Sequence, residues 1–357
     1  MNDLARASVR RLRVGVVAEW DMERLSVGYE TIRYVVSENL DALKASVPVC
    51  PTWVRGEWGS GKTHFLAYVR AVAAQRGIPS ALVSLNAHGS ALNHPQRFYP
   101  KLVDQVRLGQ EVHGLRGLVL RLLESDHTRR ALGEFARSRE SGDLSRPLGE
   151  LCALWETGDH LDVNGHWSFT VLLGADLSWA DYGYKRAQAI DRIAAVGLML
   201  RAVGLGGLAM VFDEAETIDQ LWNIRSRVGA YGMLSRLCRM DAVWPVFGVT
   251  ERFNRTAIMD AARVSNSALA GIEDARAFLE SWQNDKFLVV EPPPISLSAA
   301  RRLAENVAKI YSEAYPNGQI AARLIDGSVA EWRDNPSRNP RRLIRLVIGR
   351  LDQARQH

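Results

Sequence analysis

Short, wholly apolar runs alternate along the chain with longer stretches in which apolar residues recur every three or four positions. Ile32, Val35, Val36, Leu40 and Leu43 keep helical spacing, and Pro48 and Pro51 close that segment. Thr52-Trp53-Val54 reads as a short buried strand. Gly56–Thr63 follows as a loop. Phe65, Leu66, Val69 and Val72 mark an amphipathic helix, ended by Gly77 with Pro79 just beyond. Ala81–Leu85 predicts the next strand. Ahead of all these, Ala5–Val16 is a basic, helical start that breaks near Gly15.

Three later runs, Leu208–Phe212, Val243–Val249 and Phe287–Val290, are apolar or nearly so throughout, the pattern of strands buried on both faces. Ala187–Ala202 predicts a helix with Ile190, Ile193, Ala194 and Leu198 on one face, broken by Gly204, Gly206 and Gly207. Strands alternating with helices predict an α/β fold, a parallel sheet flanked by helices. Between Asn86 and about Tyr184 the pattern is mostly helical, with helices expected at Pro100–Leu108, Leu115–Leu123 and Arg129–Arg139. A strand-to-strand connection is normally short, so this stretch predicts a helical insert at about 87–185.

Pro292-Pro293-Pro294 reads as a stiff linker. Beyond it, helices at Ala299–Tyr311, Ile320–Trp332 and Arg341–Ala354 predict a small all-helical domain, 295–357. The expected division is an N-terminal helical segment, 1–50, a core, 51–294, and that C-terminal domain. The length, 357 residues, agrees with one large and one small domain.

Composition narrows the classes. With 47% hydrophobic and 24% charged residues, long disordered tracts are excluded. No apolar run nears the roughly 18 residues of a membrane span, and Met1–Arg13 lacks the apolar core of a signal peptide. A cytoplasmic location without a membrane partner is therefore expected. Cys50, Cys152 and Cys238 are too scattered for a disulfide framework or a zinc site and are expected as reduced thiols. The net charge of +5 is compatible with a nucleic-acid partner but mild for this length.

The strongest chemical signal is Gly56-Glu57-Trp58-Gly59-Ser60-Gly61-Lys62-Thr63, a full match to G-x-x-x-x-G-K-[ST] between a strand and a helix. Glycines let backbone N–H groups turn inward around phosphates, Lys62 faces the β- and γ-phosphates of ATP, and Thr63 offers its hydroxyl to Mg²⁺. The helix N-terminus favours the same anion. His64, next in the chain, is counted with this nucleotide-binding set.

A partner motif lies at the end of the apolar run Leu208–Phe212. Asp213 is placed to hold Mg²⁺, and Glu214 to polarise an attacking water as general base. A kinase for small molecules has no need of the second carboxylate, whereas a hydrolase does. Thr250 ends the run Val243–Val249 and is expected to touch the γ-phosphate or its water, from a strand beside that of Asp213. Arg341 and Arg342, after Asn339-Pro340, open the last helix, and Arg341 is the candidate to balance charge on the γ-phosphoryl group. Arg252, Arg255 and Arg263 are candidates to act on a neighbouring subunit.

Taken together, these motifs resemble AAA+ ATPases of the origin-recognition branch. More narrowly, Arg11–Gly28 (RLRVGVVAEWDMERLSVG), RGEWGSGKTHFL and VFDEAE are similar to the ATP-binding proteins of bacteriophage-exclusion (BREX) defence loci, the smaller D-type. The likeness covers roughly residues 10–110 and 185–357. It implies a P-loop AAA+ core with a helical insert and a helical C-terminal lid. It also implies Mg-ATP hydrolysis, self-association with the site at a subunit interface, and DNA and other defence-system proteins as partners. From the element Val27-Gly28-Tyr29 it makes Val27 and Tyr29 candidate contacts to the base. The last helix, with Arg338, Arg341, Arg342, Arg345 and Arg350, suits phosphates on one side, while Leu343, Leu346, Val347 and Leu351 suit a core stripe. A regulatory scaffold with little turnover and a transposition-type target selector remain alternative readings of the same motifs.

Overall fold

The computed structural model describes residues 2–28, 30–57, 59–86, 91–109, 112–158, 163, 165–177, 182–265, 272–292, 294–316, 322–335 and 338–356. The chain forms two compact units. One comprises Val36–Arg55 and Val72–Val290; the other comprises Met1–Val35, Gly56–Ala71 and Glu291–His357.

The larger unit is built on a seven-stranded sheet. Its strands are β1 (Thr52–Arg55), β2 (Ser80–Ser84), β3 (Val106–Leu108), β4 (Val112–His113), β5 (Leu208–Asp213), β6 (Val243–Val249) and β7 (Leu288–Val290), in the spatial order β4-β3-β2-β5-β6-β1-β7. The five strands from β2 to β7 in that order are mutually parallel, and β3 and β4 add on antiparallel at one edge. The two central apolar runs, β5 and β6, are buried from their first residue through Phe212 and Val249, as continuous apolar strands in a doubly covered sheet must be.

Register decides the core. Trp53 is paired with Phe247, and Phe247 with Phe212, so three aromatic rings from adjacent strands share one face. Trp53 stacks on Phe247 at 4.3 Å and Phe247 on Phe212 at 4.8 Å, while Phe98 continues the stack at 5.7 Å. Trp282 meets Trp53 edge-on at 4.9 Å. Such offset and edge contacts are worth about 0.5–1.5 kcal/mol each beyond burial. At the start of β5 the backbone runs very close to its neighbours: a Cβ on Gly207, whose φ is +145°, would lie 2.3 Å from the Ala242 carbonyl oxygen. Only glycine fits there.

One expected helix is partly strand. Pro100–Leu108 divides into the end of the helix Pro95–Asp104 and β3, because Gln105 closes the helix and Val106-Arg107-Leu108 pairs with β2. The helices Ile224–Leu237, Glu251–Ser265 and Ile272–Gln283 fill out the same unit.

The smaller unit has its own core. Val9 and Leu12 of the helix Asn2–Arg13 pack with Leu303, Val307, Leu343 and Val347 from Leu297–Ala314 and Pro340–Gln356. Ser296 caps the first of these by accepting from Ala299 N at 3.1 Å. Arg13 clasps Asp352 with two hydrogen bonds of 2.9 and 2.8 Å, which joins the first and last helices of the chain. This hydrogen-bonded partner holds the Asp352 carboxyl below its ordinary range. Of the expected stripe, the last helix buries Leu343, Val347 and Leu351 and leaves Leu346 half-buried, while Ile344 and Ile348 are buried beside them. Of the linker prolines, Pro293 is outside the described residues.

Candidate nucleotide site

The glycine-rich loop Gly56–Thr63 begins where β1 ends. Gly59 and Gly61 take φ values of +82° and +101°, which L side chains rarely adopt. Ser60 N donates to the Glu57 carbonyl at 3.1 Å, and Phe65 N to Gly61 O at 2.9 Å, so the loop turns directly into the helix Lys62–Gln75. A Cβ on Gly56 would lie 2.4 Å from Ser60 Oγ, and one on Gly59 would lie 2.8 Å from Asn339 Nδ2. The loop is thus a cradle that side chains would fill.

Lys62 is buried, and its ammonium donates to the carbonyls of Gly56 at 2.6 Å and Glu57 at 3.1 Å. The charge is folded onto its own loop. Ser60 Oγ is buried without a hydrogen-bond partner. A buried hydroxyl without a partner and an ammonium held on backbone carbonyls make a donor set whose chemistry suits phosphate oxygens. Thr63 lies on the exposed side of the first helical turn. Trp58 falls outside the described residues, as does Tyr29.

His64 is turned toward the N-terminal segment. Ser26 is fully buried; its Oγ donates to Met22 O at 2.6 Å and lies 2.9 Å from His64 Nε2. The hydroxyl has one proton, already given to Met22, so the ring nitrogen is the donor and His64 carries its proton on Nε2. Burial, and then the charge of Arg341, press the imidazole down to about 4, so it is neutral near pH 7. Val27, next to Ser26, is half-buried against the core of the smaller unit.

Arg341 is exposed, on the first turn of Pro340–Gln356, with no acidic partner among the described residues. Asn339 Oδ1 accepts from Arg341 N at 2.8 Å and caps that helix, while Trp332 Nε1 donates to Asn339 O at 3.1 Å. Asn339 therefore fixes where Arg341 emerges. In the sequence Pro340 marks the helix boundary, and the Asn339-Pro340 pair is itself a cap signal.

In the larger unit, Asp213 is the last residue of β5 and its carbonyl accepts from Leu85 N at 3.0 Å. Asp213 Oδ1 accepts from Glu214 N at 3.0 Å. Glu214 sits in the left-handed region at φ +60°, ψ +37°, rare for a residue with a side chain and characteristic of functional turns. Its Oε2 accepts from Ser84 Oγ at 3.2 Å, and Ser84 is the register partner of Asp213 on β2. Ser84 had no sequence signal; a serine at a strand end is ordinary. Thr250 is buried immediately after β6, which lies between β1 and β5, so the expected neighbourhood of the Thr250 and Asp213 strands is observed.

A family model for the BREX system ATP-binding proteins BrxC/D matches residues 3–141 and 184–357. The chain belongs to this family. No curated protein matches it. Within this BREX ATP-binding protein, residues 142–183 are the stretch that the family pattern leaves out. That segment is fastened to matched parts of the chain: Arg192 bonds Asp143, Val171 O and Asp176, and Tyr99 Oη donates to Leu172 O at 2.7 Å.

Of the arginines considered for a neighbouring subunit, Arg252 pairs with Asp219 and Arg263 lies 3.8 Å from Asp260, both within the chain. Arg255 has no acidic partner among the described residues. Cys50, Cys152 and Cys238 are free. Among the described residues no helix is long and apolar enough to cross a membrane, and no group of three or more His, Cys, Asp or Glu side chains gathers as a metal cage. A nucleotide-bound Mg²⁺ needs no such cage, since phosphates and water supply most of its ligands.

Proposed function

We propose that this BREX ATP-binding protein is an AAA+ ATPase that binds Mg-ATP at Gly56–Thr63 and hydrolyses it with Asp213 and Glu214. The observation that carries the reading is the glycine cradle in which the Lys62 ammonium is held on the Gly56 and Glu57 carbonyls beside the orphaned Ser60 hydroxyl. Phosphate oxygens would take over the lysine's bonds and engage the loop. The strand order, with the Thr250 strand between the strands that end at Arg55 and Asp213, supports the AAA+ assignment.

In this reading, Thr63 and Asp213 hold Mg²⁺, which would screen the phosphate charge. Glu214 takes the proton of the attacking water, and Ser84 holds its carboxylate in place. Thr250 orients the water or the γ-phosphate, and Arg341 follows the γ-phosphate from the helical lid, 295–357. Val27 and Tyr29 are assigned to the base. His64 acts through Ser26 rather than on a phosphate, because its neutral ring donates to that hydroxyl.

Self-association, DNA and other BREX proteins complete the proposal. DNA is favoured by an uneven charge distribution. The smaller unit holds 19 Lys and Arg against 13 Asp and Glu, a net of +6, whereas the rest of the chain holds 26 against 27. Phosphate release from Mg-ATP, with and without duplex and single-stranded DNA, tests the whole reading. Mg-dependent release that DNA changes is expected. No release at any protein concentration would overturn the hydrolase assignment.

Arg341→Ala should lower turnover roughly tenfold or more while ADP affinity stays within about twofold, since ADP lacks the group that the guanidinium balances. Arg342→Ala is the comparison, because adjacent helical residues point about 100° apart. Equal losses of ADP and ATP affinity in both variants would assign the arginines to packing instead.

A further inference from the structure

Each of the strand ends that carry the hydrolytic groups runs into a helical segment, and an ion pair joins the two segments. The 3-10 turn Ala215–Gln220 follows Glu214, and the helix Glu251–Ser265 follows Thr250. Asp219 of the turn pairs with Arg252 in the first turn of that helix; the Asp219 side chain is 5% exposed and that of Arg252 69%. Arg227, from the helix Ile224–Leu237, lends its charge to Asp219 and places Nε 3.1 Å from Asp260 Oδ2. Asp260 also accepts from Tyr231 Oη at 3.1 Å. Burial pushes both carboxyls above their ordinary range, and the charges of the arginines offset that only in part.

Neither carboxylate is at home in this position without its cation, because a buried charge that loses its partner must be neutralised or exposed. Asp219 therefore ties the turn to the helix behind Thr250. The same turn sets Glu214: Thr217 N donates to Glu214 O at 3.0 Å, and the left-handed backbone of Glu214 is the cap of the turn. Asp219 lies five positions after Glu214, and Arg252 two positions after Thr250. The pair thus closes a short loop across the ends of two neighbouring strands, β5 and β6.

We propose that Asp219 and Arg252 are positioning residues that hold the turn of Glu214 against the helix of Thr250, so that base and hydroxyl keep one mutual geometry. This rests on the reading of Glu214 and Thr250 as hydrolytic groups. Neither residue of the pair belongs to the phosphate loop, so nucleotide affinity reports separately from turnover. Displacing a reacting group by about 1 Å can cost on the order of a hundredfold in rate.

The test uses the full chain and four variants: Asp219→Asn, Arg252→Gln, their double, and Arg252→Lys. Phosphate release is titrated with Mg-ATP, beside nucleotide affinity and thermal midpoint. Each of the first two single variants should lower kcat about tenfold to a hundredfold with KM and affinity within about twofold. The double should be no worse than the worse single, because both remove one interaction. Arg252→Lys should keep most of kcat. Unchanged kcat in either charge-removing single, beside an active wild type, overturns the proposal. So do effects that multiply in the double, or joint loss of kcat, affinity and midpoint. A wild type that releases no phosphate removes the hydrolase reading and this inference with it, an outcome distinct from an active wild type with unaffected variants.

Discussion

Glu214→Gln should bind ATP as the wild type does and hydrolyse it about 10²–10⁴ times more slowly, the usual worth of a general base. The substitution preserves what the structure shows around the side chain. Ser84 Oγ can still donate to the amide oxygen as it does to Oε2 at 3.2 Å. Gln tolerates the left-handed backbone no better and no worse than Glu, so the turn at φ +60° is undisturbed. What is lost is an acceptor for the proton of water. Lys62→Ala should fail at the earlier step, since the loop would lose the ammonium that now rests on the Gly56 and Glu57 carbonyls. Single-turnover hydrolysis of prebound ATP separates the two cases. If Glu214→Gln turns over ATP at the wild-type rate, another group is the base.

Much of the sheet was legible because its strands are buried on both faces. β5 and β6 had to be continuous apolar runs, and no amphipathic helix of that length reads the same way. The two antiparallel strands at one side of the sheet were not legible. β3 has three residues and β4 two, too few for a period to show, and Val106 continues the helical spacing of Leu102 and Val103 just before it. At the candidate site, the loop proposed to bind phosphate is legible because its motif is contiguous: one short loop supplies the turn, the charge and the hydroxyl. Ser84 and Asp219 gave no such signal. Their partners, Glu214 and Arg252, lie 130 and 33 positions away, and only the adjacency of β2, β5 and β6 brings them together.

The helix Tyr182–Ala202 shows how periodicity misleads when a charge is buried. The expected face of Ile190, Ile193, Ala194 and Leu198 is partly right: Ile193 is buried, but Ile190, Ala194 and Leu198 are only half-buried, while Ala189, Val196 and Met199 are buried with Ile193. Arg192, which a binary pattern assigns to solvent, is 1% exposed and joins them. A buried arginine is legible only through its acceptors, and these come from a segment with no recognisable pattern.

Arg192→Leu is therefore expected to produce the largest loss of stability among substitutions remote from the nucleotide groups. Its Nε donates to Asp143 Oδ2 at 2.7 Å, and Nη1 and Nη2 grip both oxygens of Asp176 at 2.7 and 2.6 Å. Nη1 also meets the Val171 carbonyl at 2.7 Å. Leucine would fill part of the volume but leave the Asp176 carboxylate and the Val171 carbonyl without their donor and Asp143 with Gln188 alone of its two donors. Removing one partner from a buried ion pair costs about 3–5 kcal/mol; the acids retain 31% and 28% of their exposure and can be partly hydrated, which favours the lower end, about 3 kcal/mol. At roughly 2–4 °C per kcal/mol for a unit of this size, the thermal midpoint should fall by about 6–12 °C. Arg192→Lys should fall between, because a single ammonium cannot reproduce the planar fork that serves Asp143 and Asp176 together. The acceptors lie in 142–183, the stretch that the family pattern leaves out, whereas Arg192 lies within it. Hydrogen exchange in Arg192→Leu should therefore rise first in 165–177 and leave Lys62–Gln75 near wild type. A variant that melts at the wild-type temperature, with unchanged exchange in 165–177, would show that the clamp does not hold this segment to the sheet unit.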